Sequence, residues 1–283
     1  MTATHSILRF LKIKQQPPSP AFLDALVTAY TRHVPWESAF RIAKRAATPV
    51  TAECPRWPVE FWADALERGG GGTCFESNYA FFRLLRELGF DGYLTVNDMG
   101  ESRGCHTAIV VCLGDQRWLV DAGYPLYLPV PLAAGQTTHR QTPFHTYTVT
   151  PQPDYRFEIQ RDRHPKPYTF TLIDRPVPDD DYRAATTADY APDGHFLTEV
   201  IVHKVIDDRV WRLNGRVDPP LLESFPALGD PQPATCEPLP TPDAPARLAR
   251  LFGMEQGVLQ RAFDWLAEVK QTVRVVGLCY HRE

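Results

Sequence analysis

The sequence predicts an α+β chain in which a helical unit precedes an antiparallel sheet closing toward a barrel, with a mixed segment after it. Three observations carry this. Apolar residues recur at helical spacing up to Gly89 and then stop. From Phe90 onward, short alternating runs are separated by proline and glycine, as in antiparallel strands. Proline, 27 of 283 residues, is about twice the usual ~5%, which implies many short elements joined by stiff connections. The length suffices for a substantial core in one large domain or two to three small ones.

In chain order, Ser19 caps a helix with Pro20 in its first position, and Phe22, Leu23, Leu26, Val27 and Tyr30 form its apolar stripe. It ends before Pro35, and His33 to Ser38 reads as an extended turn because the residue before proline avoids the α region. A proline-rich span leads to a short helix over Val59 to Arg68. Gly69 to Gly72 then intervene, and a helix runs from Cys74 to Leu88 with Thr73 as N-cap and Gly89 as C′ residue.

Six strands are expected: Tyr93–Val96, Thr107–Leu113, Gln116–Val120, Thr146–Thr150, Tyr155–Gln160 and Tyr168–Leu172. The polar stretch Asp174 to Gly194 reads as a crossover with a short helical turn, its Asp179-Asp180-Asp181 a solvated face and not a metal site. Phe196–Val205 and Arg209–Leu213 form a hairpin around Asp207-Asp208. Two amphipathic helices, Pro245–Phe252 and Glu255–Lys270, follow another proline-rich span, and Val273–Tyr280 reads as a strand.

A net charge of −4 with no basic run argues against nucleic acid as a partner. The N-terminus lacks a signal-peptide pattern, and no apolar run of about 18 residues would span a membrane. Six cysteines without framework spacing read as reduced and cytosolic.

Chemistry concentrates at Arg68-Gly-Gly-Gly-Gly-Thr73-Cys74-Phe75-Glu76-Ser77-Asn78. A flexible glycine collar ending on a cysteine in the first helical turn exposes a nucleophile where amide hydrogens and the macrodipole favour a thiolate. A buried structural cysteine is the even alternative, since cysteine usually behaves as a small hydrophobe.

A base and an orienting carboxylate follow from parity. With Gly114-Asp115 as a two-residue turn, Leu113 pairs with Gln116, Ala108 lies opposite Asp121, and His106 lies opposite Gly123. His106 and Asp121 then share one face as diagonal neighbours, whereas a one-residue slip would separate them. His33, His139, His145 and His164 lie in turns or loops without a matched carboxylate. Cys74, Cys105 and His106 lack metal-site spacing, and adjacent Cys105 and His106 point to opposite faces, so no metal is expected.

Cys74 in Gly-Gly-Thr-Cys-Phe-Glu-Ser-Asn, His106 opening an apolar strand, and Asp121 in Leu-Val-Asp-Ala-Gly-Tyr together resemble the arylamine N-acetyltransferases. Val34-Pro35-Trp36-Glu37-Ser38 is similar to that family's Ile-Pro-Phe-Glu-Asn segment. The resemblance implies a cysteine-proteinase-like core in three domains: a helical bundle over 1–90, a β-barrel over 91–194 and an α/β lid over 195–283. It implies Cys74, His106 and Asp121 as the catalytic triad, and Trp36, Thr73, Phe75, Gly123 and Tyr124 as substrate contacts. Acetyl-coenzyme A would be a co-substrate, with no permanently bound cofactor. An aromatic amine or hydrazine would accept the acetyl group, in a ping-pong mechanism through acetyl-Cys74. A cytoplasmic monomer or weak homo-oligomer, bound to neither membrane nor nucleic acid, is expected.

The sequence departs from the family in three places. Arg68 lies two residues further from the cysteine than the family's arginine, with Gly70 at the usual position. Gly123-Tyr124-Pro125 replaces Gly-Phe-Gly, and Trp36 and Ser38 replace phenylalanine and asparagine. Two other readings stand beside the first: an amide synthase or other Cys-His-Asp enzyme with a different donor or acceptor, and a non-catalytic binding module.

Overall fold

The computed structural model describes residues 3–164, 166–192 and 194–280, with side chains described as far as Val269. Helix α1 (Ala3–Phe10) is short and has no clear sequence signal. Helix α2 (Pro20–His33) begins as expected: the Ser19 hydroxyl accepts the Phe22 amide at 3.2 Å, and the expected stripe is buried. The turn after it contains a two-residue strand, β1 (Trp36–Glu37), and a further helix, α3 (Ala39–Ala47), neither of which the sequence reading distinguished. Helices α4 (Pro58–Arg68) and α5 (Cys74–Glu87) complete the helical part, and Gly89 follows α5 with φ 87°. Their apolar faces share one core with α2.

Eight strands follow: β2 (Asp91–Met99), β3 (Ser102–Leu113), β4 (Gln116–Val120), β5 (Val130–Leu132), β6 (Thr138–Gln141), β7 (Thr146–Gln152), β8 (Arg156–Arg161) and β9 (Tyr168–Ile173). They form one antiparallel sheet in the order β5-β4-β3-β2-β9-β8-β7-β6, nearly closed into a barrel around Val110, Leu119, Tyr147, Phe157, Ile159, Phe170 and Leu172. The expected register holds: Leu113 pairs with Gln116, and the ladder runs without a slip to Ile109 opposite Val120. Strands β5 and β6 escaped notice because they are only three and four residues long. Strand β8 starts one residue late because Asp154 and Tyr155, at φ 61° and 59°, form the preceding turn.

The crossover after β9 holds a full helix, α6 (Asp179–Ala188), not a single turn. Its three aspartates occupy the first turn, where the macrodipole favours them, and Tyr182 and Thr186 are buried.

The last segment builds β10 (Val202–Ile206), β11 (Arg209–Asn214), β12 (Leu221–Pro226) and β13 (Thr235–Pro238), then α7 (Ala244–Phe252) and α8 (Gln256–Tyr280). Asp207 and Asp208 turn the β10–β11 hairpin at φ 49° and 56°. The first strand of this hairpin is shorter than expected, because residues 196–201 are irregular, with Phe196 at φ 59°. Residues 273–280, read as a strand, instead continue α8. A short apolar run has no periodicity that separates a strand from a buried helix, and here the preceding helix simply extends through it.

Strand β1 pairs antiparallel with β10, Trp36 opposite His203, and so heads the sheet β1-β10-β11-β12-β13. The third core packs α3 against that sheet, α7 and α8. No described helix is long and apolar enough to cross a membrane.

Candidate active site

The glycine run is packed and not a flexible spacer, contrary to the sequence reading. Gly69 ends α4 in the left-handed region at φ 66°, and a Cβ there would lie 1.9 Å from the Gly253 carbonyl oxygen. A Cβ on Gly71 would lie 1.8 Å from the Pro35 oxygen, so only glycine lets these backbones pass. The run is tied to β1 by a parallel bridge between Trp36 and Gly72. The Gly71 amide donates to Glu37 Oε1 at 3.2 Å, and the Gly71 carbonyl accepts Arg56 Nη2 at 2.7 Å.

Arg56 is the buried cation of this region. Its guanidinium donates to Glu76 Oε2 at 2.6 Å and to Asp64 Oδ2 at 3.1 Å, and Tyr190 Oη donates to the other oxygen of Glu76 at 2.5 Å. Arg68 instead lies near the surface, bound to Asp64 at 2.8 Å and Glu255 at 2.5 Å. The sequence reading noted only the displaced Arg68 and did not single out Arg56. The available signal was a lone arginine in Cys54-Pro55-Arg56-Trp57-Pro58, a setting too apolar for an ordinary surface residue.

Thr73 stands at the N-cap in extended conformation, yet its side chain makes no capping bond. The expected cap is therefore positional only, and its Oγ1 is buried with no hydrogen-bond partner. Cys74 opens α5 and is 4% exposed. Its carbonyl accepts the Thr107 hydroxyl at 2.9 Å, which locks the helix start to β3. Beside it, a Cβ on Gly123 would lie 2.2 Å from Cys74 Cα, so this glycine permits the loop after β4 to close on the helix.

His106 Nε2 lies 2.6 Å from Asp121 Oδ2, both side chains essentially buried. With Nε2 so engaged, Nδ1 is the nitrogen left for the Cys74 thiol, whose Sγ lies 3.8 Å from the Cys105 carbonyl oxygen. Asp121 Oδ1 accepts three donors: the Gly123 and Tyr124 amides at 2.9 Å each and Asn78 Nδ2 at 3.0 Å. Asn78 Nδ2 also reaches the Thr107 carbonyl at 2.7 Å, and its Oδ1 accepts the Ala122 amide at 2.8 Å. The Tyr182 hydroxyl closes the network, within 2.9 Å of the Phe75 carbonyl and 3.1 Å of Thr107 Oγ1. Asn78, Thr107 and Tyr182 come from three elements; Asn78 stood in the cysteine motif, but no local pattern marked Thr107 or Tyr182 as part of the site.

Burial acts against a charged imidazole, but the charge and hydrogen bond of Asp121, together with Cys74, outweigh it and hold the His106 pKa well above its ordinary value. Each partner in this balance is fixed by packing, with Phe170 4.6 Å from the imidazole ring and Tyr124 edge-on at 6.2 Å.

The outer residues separate into two groups. Trp36 meets Tyr124 at 6.0 Å, Phe196 at 5.3 Å and His203 at 6.4 Å, all edge-to-face, and its buried Nε1 has no partner. Trp36, Thr73 and Tyr124 thus supply ring surface and two unused donors around the site. Phe75 packs 5.8 Å from Tyr182 in the helical core, and Gly123 serves the close approach just described. Among the described residues, no group of three or more His, Cys, Asp or Glu could hold a metal ion.

A family model described as N-acetyltransferase matches residues 21–217. The chain is 28% identical over 215 residues to the arylamine N-acetyltransferase of Mycolicibacterium smegmatis, covering 70% of this chain and 74% of the relative. A 72-residue stretch is 35% identical to proansamycin X synthase of Amycolatopsis mediterranei (strain S699), covering 23% of this chain and 28% of that one. The fold is similar to that of the Mycobacterium marinum arylamine N-acetyltransferase in complex with CoA, with a TM-score of 0.75 at 22% identity over 93% of this chain and 99% of that one.

Proposed function

Since the chain belongs to the arylamine N-acetyltransferase family, we propose that it moves an acetyl group from acetyl-coenzyme A to an arylamine or hydrazine, through acetyl-Cys74 in a ping-pong reaction. The observation that carries this reading is the buried His106–Asp121 contact of 2.6 Å set against a cysteine at a helix N-terminus.

The proposed sequence starts from a thiolate–imidazolium pair. Cys74 Sγ attacks the thioester carbonyl, and the first-turn amides of α5, which lack helical partners, face the developing oxyanion. Collapse breaks the bond to the coenzyme sulfur, which leaves with the His106 proton and frees an acetyl-cysteine. The amine nitrogen then attacks that acetyl carbonyl. His106 takes the amine proton as the C–N bond forms, and Cys74 departs to restore the pair. Asp121 holds Nε2 protonated, so Nδ1 is the atom that gives and takes the proton. Burial of Cys74, only 4% exposed, limits competing hydrolysis by water.

Intact mass after brief incubation with acetyl-coenzyme A tests this directly. One acetyl adduct is expected in the native chain and none in Cys74→Ala; absence of the adduct in the native chain sinks the donor assignment. An amide synthase is the second reading, supported by the 35% identical stretch and by the altered Gly123-Tyr124-Pro125 loop. The same mass measurement with other acyl thioesters separates the two, since an amide synthase would load a larger acyl group in preference. A non-catalytic module leaves the fully partnered Asp121 without a use.

A further inference from the structure

Lys204 lies in β10 opposite Trp211, on the strand face that it shares with Val202 and that packs toward α7 and α8. Its Nζ donates to the Phe252 carbonyl at 3.1 Å, and Phe252 is the last residue of α7 before the left-handed Gly253. A helix leaves its last four carbonyls without helical partners, so a single N–H of Lys204 closes one of them.

An ammonium carries two more protons, and here they lack a charged acceptor. Among the described residues no carboxylate lies within ion-pair distance of Lys204, whereas Lys44 holds Glu60 at 2.6 Å. Carboxylates of the adjoining segments are committed elsewhere: Asp208 binds Arg32 and Glu255 binds Arg68, each at 2.5 Å. The neighbouring field is positive. His33 stands at the end of α2, which packs on β10; its pKa is lowered by burial and further by the charges of Lys12, Lys204 and Arg32. Burial alone pushes the Lys204 pKa down to about 8. The residue is nevertheless half-buried and not sealed from solvent.

We propose that Lys204 is a modification site, its side-chain amine taking an acetyl group directly from an acyl thioester such as acetyl-coenzyme A. The inference goes beyond the acyl-transfer reading above and does not need Cys74. The neutral Nζ attacks the thioester carbonyl carbon; the N–C bond forms, the C–S bond breaks, and the proton shed by nitrogen goes to the departing thiolate. The product is a secondary amide with one N–H, which is the number that Phe252 requires. Acetylation removes the two protons without acceptors and the buried charge, and it keeps the cap.

The native chain, Cys74→Ala and Lys204→Arg are incubated with acetyl-coenzyme A, and peptide mass spectrometry follows each lysine against time and pH. At pH 7.5 an ordinary lysine amine is about 0.1% neutral, whereas one with a pKa of about 8 is about a quarter neutral. Lys204 should therefore be acetylated about 10-fold faster or more than the exposed Lys12, Lys14 and Lys166, in the native chain and in Cys74→Ala alike. Its rate should level off above about pH 8 while theirs keep climbing, and urea should abolish the advantage. Lys204→Arg, which keeps an N–H for Phe252, should lose this site alone and unfold at the native midpoint.

Acetylation of Lys204 no faster than of the exposed lysines, or a rate still climbing at pH 10, overturns the proposal. An advantage that survives in urea does the same, because the fold would then not create it. Acetyl-Lys204 in the native chain but not in Cys74→Ala assigns the group to transfer from acetyl-Cys74 and overturns direct attack. A chain that acetylates Lys204 but never forms acetyl-Cys74 supports this inference and removes the acyl-transfer reading, so the two fail separately.

Discussion

Asn78 joins helix α5 to the loop after β4: its Nδ2 donates to Asp121 Oδ1 at 3.0 Å, and its Oδ1 accepts the Ala122 amide at 2.8 Å. The residue that carries the nucleophile's helix therefore also orients the carboxylate that orients the base. Asn78→Ala leaves the Ala122 amide buried and unpaired, at a cost of about 1–3 kcal/mol. It also frees Asp121 to shift, and a displacement near 1 Å in such a constellation costs about 10²-fold in rate. Stopped-flow acetylation and urea denaturation should both register the change. A loss of stability with full rate would mean that Asn78 does not position Asp121.

How far the site could be read from the sequence depends on how far each contact lies from a local rule. The His106–Asp121 contact was legible because strand pairing propagates without ambiguity from the two-residue turn at Gly114-Asp115, and the observed register follows it. The place of Cys74 followed from an end-of-helix pattern beside glycines. Asn78 was visible one turn from Cys74, but its bonds to Asp121 and Ala122 cross between elements, and no periodicity encodes them. The same holds for Trp36 opposite His203, Arg56 beneath Gly71, and Arg161 against Tyr124. Residues 273–280 failed for a different reason, since an apolar run suits either a strand or a helix and only the chain before it decides.

Gly123 touches the nucleophile's backbone, and its replacement is the sharpest steric test of the site. In Gly123→Ala the new Cβ would meet Cys74 Cα at 2.2 Å and Cys74 Cβ at 2.8 Å, and neither can swing away. Overpacking of this kind costs about 1–3 kcal/mol. Because strain falls between Cys74 and the amides holding Asp121, acetyl-Cys74 formation should slow by about 10-fold or more, consistent with a misplaced reacting pair. Rapid-quench mass measurement reads the rate, and normal loading with a lowered denaturation midpoint would refute the link to geometry.

Arg56 is placed to hold the packed glycine run and α5 together. Arg56→Met keeps much of the volume but strands Glu76, which is buried and, among the described residues, has no other cation at salt-bridge distance. Breaking one side of a buried pair costs about 3–5 kcal/mol. Burial alone would raise the Glu76 pKa, yet Arg56 outweighs it and holds the carboxyl below its ordinary value. Its contribution is therefore present above the unfolded pKa and lost as pH falls through the folded one. Arg56→Met/Glu76→Gln should be less destabilised than the sum of the single variants, as measured by urea unfolding at pH 7. Additive losses would contradict a direct coupling.

Glu37 gives the opposite pH dependence at the same collar. Its carboxyl accepts the Phe40 amide at 2.9 Å and the Gly71 amide at 3.2 Å. Burial nevertheless raises its pKa from 4.5 to about 7, with Arg56 and these two amides opposing the shift. For an acid whose folded pKa lies above its unfolded one, the folded state binds the extra proton between the two values. The stability linked to Glu37 is thus fully present below the unfolded pKa and lost as pH rises through about 7. A shift of this size corresponds to a change on the order of 3 kcal/mol across that window. Glu37→Gln cannot titrate, so its unfolding free energy should fall less between pH 5 and pH 8 than that of the native chain. Parallel pH profiles for the two proteins would show that Glu37 stays ionised throughout, with Arg56 prevailing over burial. The two buried carboxylates that flank the glycine run, Glu37 and Glu76, would then respond to acid in the same sense instead of opposite ones.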